Sequence, residues 1–238
     1  MNISDAICGD FVPPFKMRVK TGWEQYRFQT FIFKEPETNA WIRSFEDGQT
    51  FYDVGANIGM YSLYACHLLP NSPVVAFEPQ ISSYLSLVQN CHLNRFGNAF
   101  PLLAGVSDHT GISRFGMKIG EAGASGGQVG ETGYAVHIYA LDDFAAMFGP
   151  PDHIKIDIDG QEAKVIEGMK GLIADRVFKS CLIEITKDDA GQYIKQFFLN
   201  HGYTTENEFN AMEAHSRNMP WRKSKEANIE NVIFTRLT

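Results

Sequence analysis

The sequence is sparing with cysteine, with long apolar runs and with positive charge. Only four cysteines occur in 238 residues, and Cys8, Cys66, Cys91 and Cys181 lie too far apart for a zinc ribbon or a Cys-x-x-Cys redox pair. A chain of this length also builds a core without disulfide staples, so all four read as reduced thiols. No stretch stays apolar for the roughly 18 residues that a membrane crossing needs. The first ten residues lack a basic segment followed by an apolar one, which makes the cytoplasm the expected compartment. Lys and Arg number 21 against 28 Asp and Glu, a net charge of −7, which opposes general binding to nucleic-acid phosphates or to an anionic membrane. Neither nucleic acid nor an integral membrane segment is therefore expected. The oligomeric state is left open. Arg217, Arg222, Lys223 and Lys225 around Trp221 are the local exception. They read either as a solvated connection or as a seat for a phosphate-bearing ligand.

What is present is an alternation of short apolar runs with segments of helical spacing, the pattern of an α/β fold with a mostly parallel sheet. Strands are expected at 50–54, 74–77, 100–106, 153–158 and 180–185, near Tyr203 and at 232–236, giving about seven strands with helices on both faces. The aromatic and β-branched residues of 11–34 suggest a small hairpin or irregular cover, followed by a short helix from Pro36 to Phe45. The expected division is an N-terminal cover over 1–46 and a main domain over 47–238. Within the latter, the glycine-rich stretch 111–139 breaks the rhythm, with strand-like ends at Ile112 to Phe115 and Ala135 to Tyr139, and reads as a long flexible hairpin loop outside the core.

The chemistry concentrates at strand ends. Asp53-Val-Gly-Ala-Asn-Ile-Gly59 follows an apolar strand and opens a helix. Gly55 permits a turn closed to other residues, Gly59 permits close packing, and the helix N-terminus offers free N–H groups to a carboxylate. The spacing is Gly-x-x-x-Gly and not the Gly-x-Gly-x-x-Gly of dinucleotide sites, so a pyrophosphate cradle is the weaker reading. Glu78 ends the neighbouring strand, where an acidic group accepts both hydroxyls of a ribose. Asp108, beside Ser107, ends the third strand and is placed to accept from an adenine amino group, or serves only as a turn residue. Together these tips outline a pocket for an adenosyl ligand at the carboxyl edge of the sheet.

In His153-Ile-Lys-Ile-Asp-Ile-Asp159 the alternation sends His153, Lys155, Asp157 and Asp159 to one face. Buried carboxylates need partners or a function. Asp157 reads as the group that orients or deprotonates an acceptor hydroxyl, with Asp159 and Glu162 as further candidates. The plain alternative pairs Asp157 with Lys155 and uses Asp159 and Glu162 as caps of the next helix. Asp157, Asp159 and Glu184 also offer hard oxygen ligands for an optional Mg²⁺.

Lys34-Glu-Pro-Glu-Thr38, Phe51 to Ser62, Phe77-Glu-Pro79, Asn90 with Leu93-Asn94, Leu141-Asp142 and Ile154-Lys-Ile-Asp-Ile-Asp-Gly-Gln-Glu162 together resemble the FkbM methyltransferases, over roughly residues 34–187. The resemblance implies a Rossmann-like class I fold, S-adenosylmethionine as cofactor, and a cofactor set of Asp53, Gly55, Ala56, Asn57, Gly59, Tyr61, Glu78, Pro79, Ser107 and Asp108. It implies transfer to a hydroxyl of a sugar, glycolipid or natural product. Competing readings are a nitrogen or protein acceptor, a non-catalytic binder of S-adenosylmethionine or a nucleotide, and a nicotinamide-dependent dehydrogenase. One departure stands out: the family's Asp-x-Glu-Gly is here Asp157-Ile-Asp159-Gly160, a carboxylate one methylene shorter than the resemblance implies at position 159.

Overall fold

The computed structural model describes residues 4–6, 14–117, 119–217 and 228–237. Strand β1 (Ser4–Ala6) pairs antiparallel with β2 (Met17–Val19). Next comes α1 (Gly22–Lys34), a helix where the sequence suggested a hairpin or irregular cover. Its start is fixed by a capping box: Thr21 Oγ1 accepts the Glu24 N–H at 3.1 Å, and the Glu24 carboxylate accepts the Thr21 N–H at 2.8 Å. Buried Glu24, Phe28 and Phe31 recur at helical spacing, so period decides here over the strand propensity of the aromatic residues. Helix α2 (Pro36–Arg43) follows, with Pro36 in its first turn.

The core alternates as expected: β3 (Phe51–Val54), α3 (Met60–Leu68), β4 (Val74–Phe77), α4 (Ile81–Asn94) and β5 (Ala99–Leu102). The expected single strand over 100–106 is two. After Leu103 the chain leaves the main sheet, and β6 (Ala104–Val106) pairs instead with β9 (Tyr134–Tyr139). With β7 (Gly111–Gly116) and β8 (Gln128–Gly130) these strands make a second sheet, ordered β6-β9-β7-β8. The glycine-rich stretch is thus more than a flexible loop. Phe115, Val136 and Ile138 form a small core of their own, because the apolar residues of β7 and β9 alternate onto one face.

Helix α5 (Leu141–Phe148) leads to β10 (His153–Ile156), α6 (Glu162–Glu167), α7 (Lys170–Ala174), β11 (Ser180–Thr186), α8 (Asp189–Asn200), β12 (Tyr203–Thr204), α9 (Glu208–Arg217) and β13 (Ile229–Arg236). Among the described residues the main sheet has seven strands in the order β12-β13-β11-β10-β3-β4-β5. From β11 to β5 its strands are parallel, and β13 is antiparallel to both β11 and β12. Alternate residues feed two cores on opposite faces. Phe51, Val74, Ala76 and Leu182 pack under α1 to α4, while Tyr52, Val54, Ile154 and Ile183 pack under α5 to α8. Trp221, Arg222, Lys223 and Lys225 lie outside the described residues, as does the side chain of Arg217.

Candidate active site

The parallel strands β4, β3 and β10 end on one edge, and the turns leaving β3 and β10 meet there. Gly55 turns at φ +80°, and a Cβ on it would stand 2.0 Å from the Asp157 carbonyl oxygen, so only glycine lets the two turns touch. Asn57 also turns left-handed, at φ 52°, and Gly59 caps α3. Glu78, at the end of β4, is buried. Its carboxylate accepts the N–H of Asn57 and of Gln80, each at 2.7 Å, and burial pushes its pKa up to about 7. Each oxygen keeps a lone pair for a further donor.

Two hollows open on this edge. The first, about 560 Å³ with its open mouth, has Val54, Phe77, Ala104 and Val106 on one side and Phe115, Met117 and Val129 on the other. Gly55, Asn57, Glu78, Pro79, Asp157 and Asp159 supply its polar end. The second, about 1490 Å³ with its open mouth, lies between α1 and the glycine turn. Trp23, Tyr26, Arg27, Thr30 and Lys34 form one wall, and Gly55, Ala56, Asn57, Tyr61, Lys155 and Asp157 form the other. The 23/26/27/30/34 spacing places that first wall on a single helix face. Gly55, Asn57, Ser125 and Asp157 border both hollows.

A strap of residues 120–126 lies between the hollows and is held almost entirely by side chains of other elements. The carbonyls of Gly120, Glu121, Ala122, Gly123 and Ala124 accept in turn from Ser82 Oγ, Gln80 Nε2, Thr21 Oγ1, Arg27 Nε and Asn57 Nδ2, at 2.6 to 2.9 Å. The Gly126 N–H donates to Asp159 Oδ2 at 2.6 Å. Asp159 is thus spent on the strap, at φ 59°, and does not cap α6, whose N-cap is Gln161.

Not every expected residue reaches a hollow. Asp53 is buried beneath the turn. One of its oxygens bonds Ser62 Oγ, the other has no hydrogen-bond partner among the described residues, and burial raises its pKa. Gly59 packs against Leu87. Ser107 is buried, with its N–H on the Tyr139 carbonyl, while exposed Asp108 holds the His109 ring at 2.6 Å. Neither lines the first hollow. Glu162 turns back onto the Gly160 N–H at 3.1 Å, which is a structural bond within its own turn. Among the described residues no three His, Cys, Asp or Glu side chains are grouped to hold a metal ion, so Asp157, Asp159 and Glu184 are not assembled as a Mg²⁺ site. What sequence reading missed is the α1 wall, and the Thr21-x-x-Glu24 box was the signal that would have revealed it.

Residues 53–205 match the model of the FkbM methyltransferase domain, well over half of the chain. The chain belongs to the FkbM methyltransferase family. A curated relative, the hexuronic acid methyltransferase AglP of Haloferax volcanii, is 27% identical over 126 residues, which cover 52% of this chain and 51% of that protein. The match thus spans about half the length of this relative. Among solved structures, an S-adenosylmethionine-dependent methyltransferase of Aquifex aeolicus superposes with a TM-score of 0.51 at 12% identity, covering 90% of this chain and 97% of its own. An rRNA methylase of Streptococcus thermophilus superposes with a TM-score of 0.50 at 12% identity, covering 84% and 95%. These likenesses establish the Rossmann-like class I methyltransferase fold. The fold alone gives no support to the expected exclusion of nucleic acid, because that neighbour acts on rRNA.

Proposed function

We propose that this protein methylates a hydroxyl of a sugar-type acceptor with S-adenosylmethionine, which supplies the methyl group. The observation that carries the reading is that the two hollows share a wall at Asp157. The adenosyl part suits the first: Glu78 faces a ribose, Gly55 and Asn57 line the path of the methionine arm, and apolar residues on both sides flank the base. The acceptor suits the second. Trp23 and Tyr26 remain 42% and 50% exposed on its wall, flat apolar faces of the kind that pack against a pyranose ring. Thr30, Arg27 and Glu121 add hydrogen-bonding groups. The hexuronic acid methyltransferase among the relatives supports the same acceptor class. Residues 1–46 are in this view a cover that supplies the acceptor wall to the domain over 47–238.

At the junction Asp157 orients the acceptor hydroxyl and takes its proton as the oxygen gains the methyl group. Alignment of two bound reactants is worth roughly 7 to 11 kcal/mol of barrier, so proximity does most of the work and one base suffices. The test is Asp157→Ala assayed with labelled cofactor against a panel of neutral and uronic-acid glycans, alongside calorimetry with S-adenosylhomocysteine. Retained cofactor binding with lost transfer is expected. Unchanged transfer removes Asp157 from the chemistry, and NAD binding in place of S-adenosylhomocysteine overturns the cofactor.

A further inference from the structure

The role given to Asp157 leaves one buried charge beside it unexplained. Lys155 is 1% exposed, yet its stem and ammonium sit inside the sheet edge where a methionine of similar length would pack without desolvating a charge. Its Nζ lies 2.9 Å from Asp157 Oδ2 and stands over the Tyr61 ring, 4.9 Å from the ring centre. Tyr61 is in turn fixed from behind, its hydroxyl donating to Glu35 Oε2 at 2.7 Å. Across the β3–β10 pair Lys155 faces Asp53, one of whose buried oxygens has no hydrogen-bond partner among the described residues. The ammonium is thus boxed by groups from several elements: Glu35 between α1 and α2, Asp53 on β3, Tyr61 on α3, Asp157 after β10 and Glu184 on β11.

We propose that Lys155 is a positioning residue for methyl transfer: it pins Oδ2 of Asp157 at the wall common to both hollows and leaves the other carboxylate oxygen for the acceptor hydroxyl. The inference rests on Asp157 as the group that meets the acceptor. Three features support it. Nζ donates its hydrogen bond to the Asp157 carboxylate, although several acids lie near it. Lys155 and Asp157 are two apart on a strand end, so both side chains leave the same face and a rigid backbone sets their spacing. Lys155 also lines the second hollow, so its ammonium stands close to the place where the acceptor docks. The electrostatics agree. Burial pulls the Lys155 pKa down, but Asp157, Asp53 and Glu35 outweigh it and hold the group above its ordinary range. The Asp157 charge first, and then burial, push the Glu184 carboxyl well above the ordinary carboxylate range.

The experiment compares Lys155→Met and Lys155→Arg with the full wild-type chain. A positioning role predicts a fall in kcat of about 10²-fold for Lys155→Met, the loss that follows from misplacing a reacting group by about 1 Å. The calorimetric affinity for S-adenosylhomocysteine stays unchanged, kcat falls by a larger factor than the acceptor KM rises, and Lys155→Arg recovers part of kcat because the guanidinium still binds a carboxylate. A second readout needs no activity. The ¹⁵N titration of the Lys155 ammonium shifts to lower pH in Asp157→Asn, since coupling between two sites is reciprocal. Where Lys155→Met does not fold, Lys155→Arg and the titration decide. Unchanged kcat in a folded variant, loss of cofactor affinity in parallel with kcat, or an unmoved ammonium titration overturns the proposal. If transfer survives in Asp157→Ala while the ammonium still responds to Asp157→Asn, the pair exists and it is the role of Asp157 that fails.

Discussion

Glu78 carries a cost that a single substitution makes measurable. Buried at the end of β4, its carboxyl is raised from an ordinary 4.5 to about 7 by loss of solvent, against the pull of the Gln80 and Asn57 N–H groups. Between those values the folded chain binds a proton that the unfolded chain has released, so stability falls as pH rises through this window and levels off above it. At about 1.4 kcal/mol per pH unit, the interval amounts to about 3 kcal/mol. In Glu78→Gln the window is absent. At pH 4 both side chains are neutral, and their difference reflects only amide against acid. At pH 8 the variant gains about 3 kcal/mol relative to the wild type beyond that baseline. Urea unfolding followed by circular dichroism at the two pH values measures it, and an equal difference at both refutes the argument. Cofactor affinity moves the opposite way: ribose hydroxyls donate to the ionised form, so calorimetry with S-adenosylhomocysteine shows affinity declining below pH 7 in the wild type. In Glu78→Gln it is weaker and flat.

Two further outcomes follow from the geometry. Gly55→Ala drives a methyl group into the Asp157 carbonyl at a positive φ, so a loss of at least about 1 to 3 kcal/mol is expected in chemical unfolding, together with loss of S-adenosylhomocysteine binding. Trp23→Ala and Tyr26→Ala remove the exposed faces of the second hollow, so steady-state assays show a raised acceptor KM while cofactor affinity holds; a fall in cofactor affinity instead places these residues at the first hollow.

The main sheet was legible because its strands are apolar runs punctuated by helical segments, and the expected strands match those observed except that the one over 100–106 splits after Leu102. Gly55, Asn57, Glu78 and Asp157 were legible because each ends or follows a core strand, where topology alone brings side chains together. Other parts were not. The strand-like ends of 111–139 were legible, but its glycines hid β8 and the pairing with β6 that makes a second sheet around Phe115, Val136 and Ile138. Asp108 looked like a third strand tip, but the strand carrying it leaves the main sheet after Leu103 and turns its end toward His109. Helix α1 was hidden by its aromatic residues, which mimic strand propensity while obeying helical period. Lys155 was seen as a partner for Asp157, yet its enclosure by Glu35, Asp53, Tyr61 and Glu184 depends on long-range packing that no local pattern records.

The α1 wall has an implication for how such enzymes diversify. It precedes residue 53, where the stretch matched by the family model begins, and it touches the strap through side chains that grip only backbone carbonyls. A carbonyl is the same whatever residue bears it. On the proposed reading, the helix can therefore exchange its outward aromatic and charged residues for others while Thr21 and Arg27 keep their grip, altering the acceptor wall without renegotiating the cofactor turn.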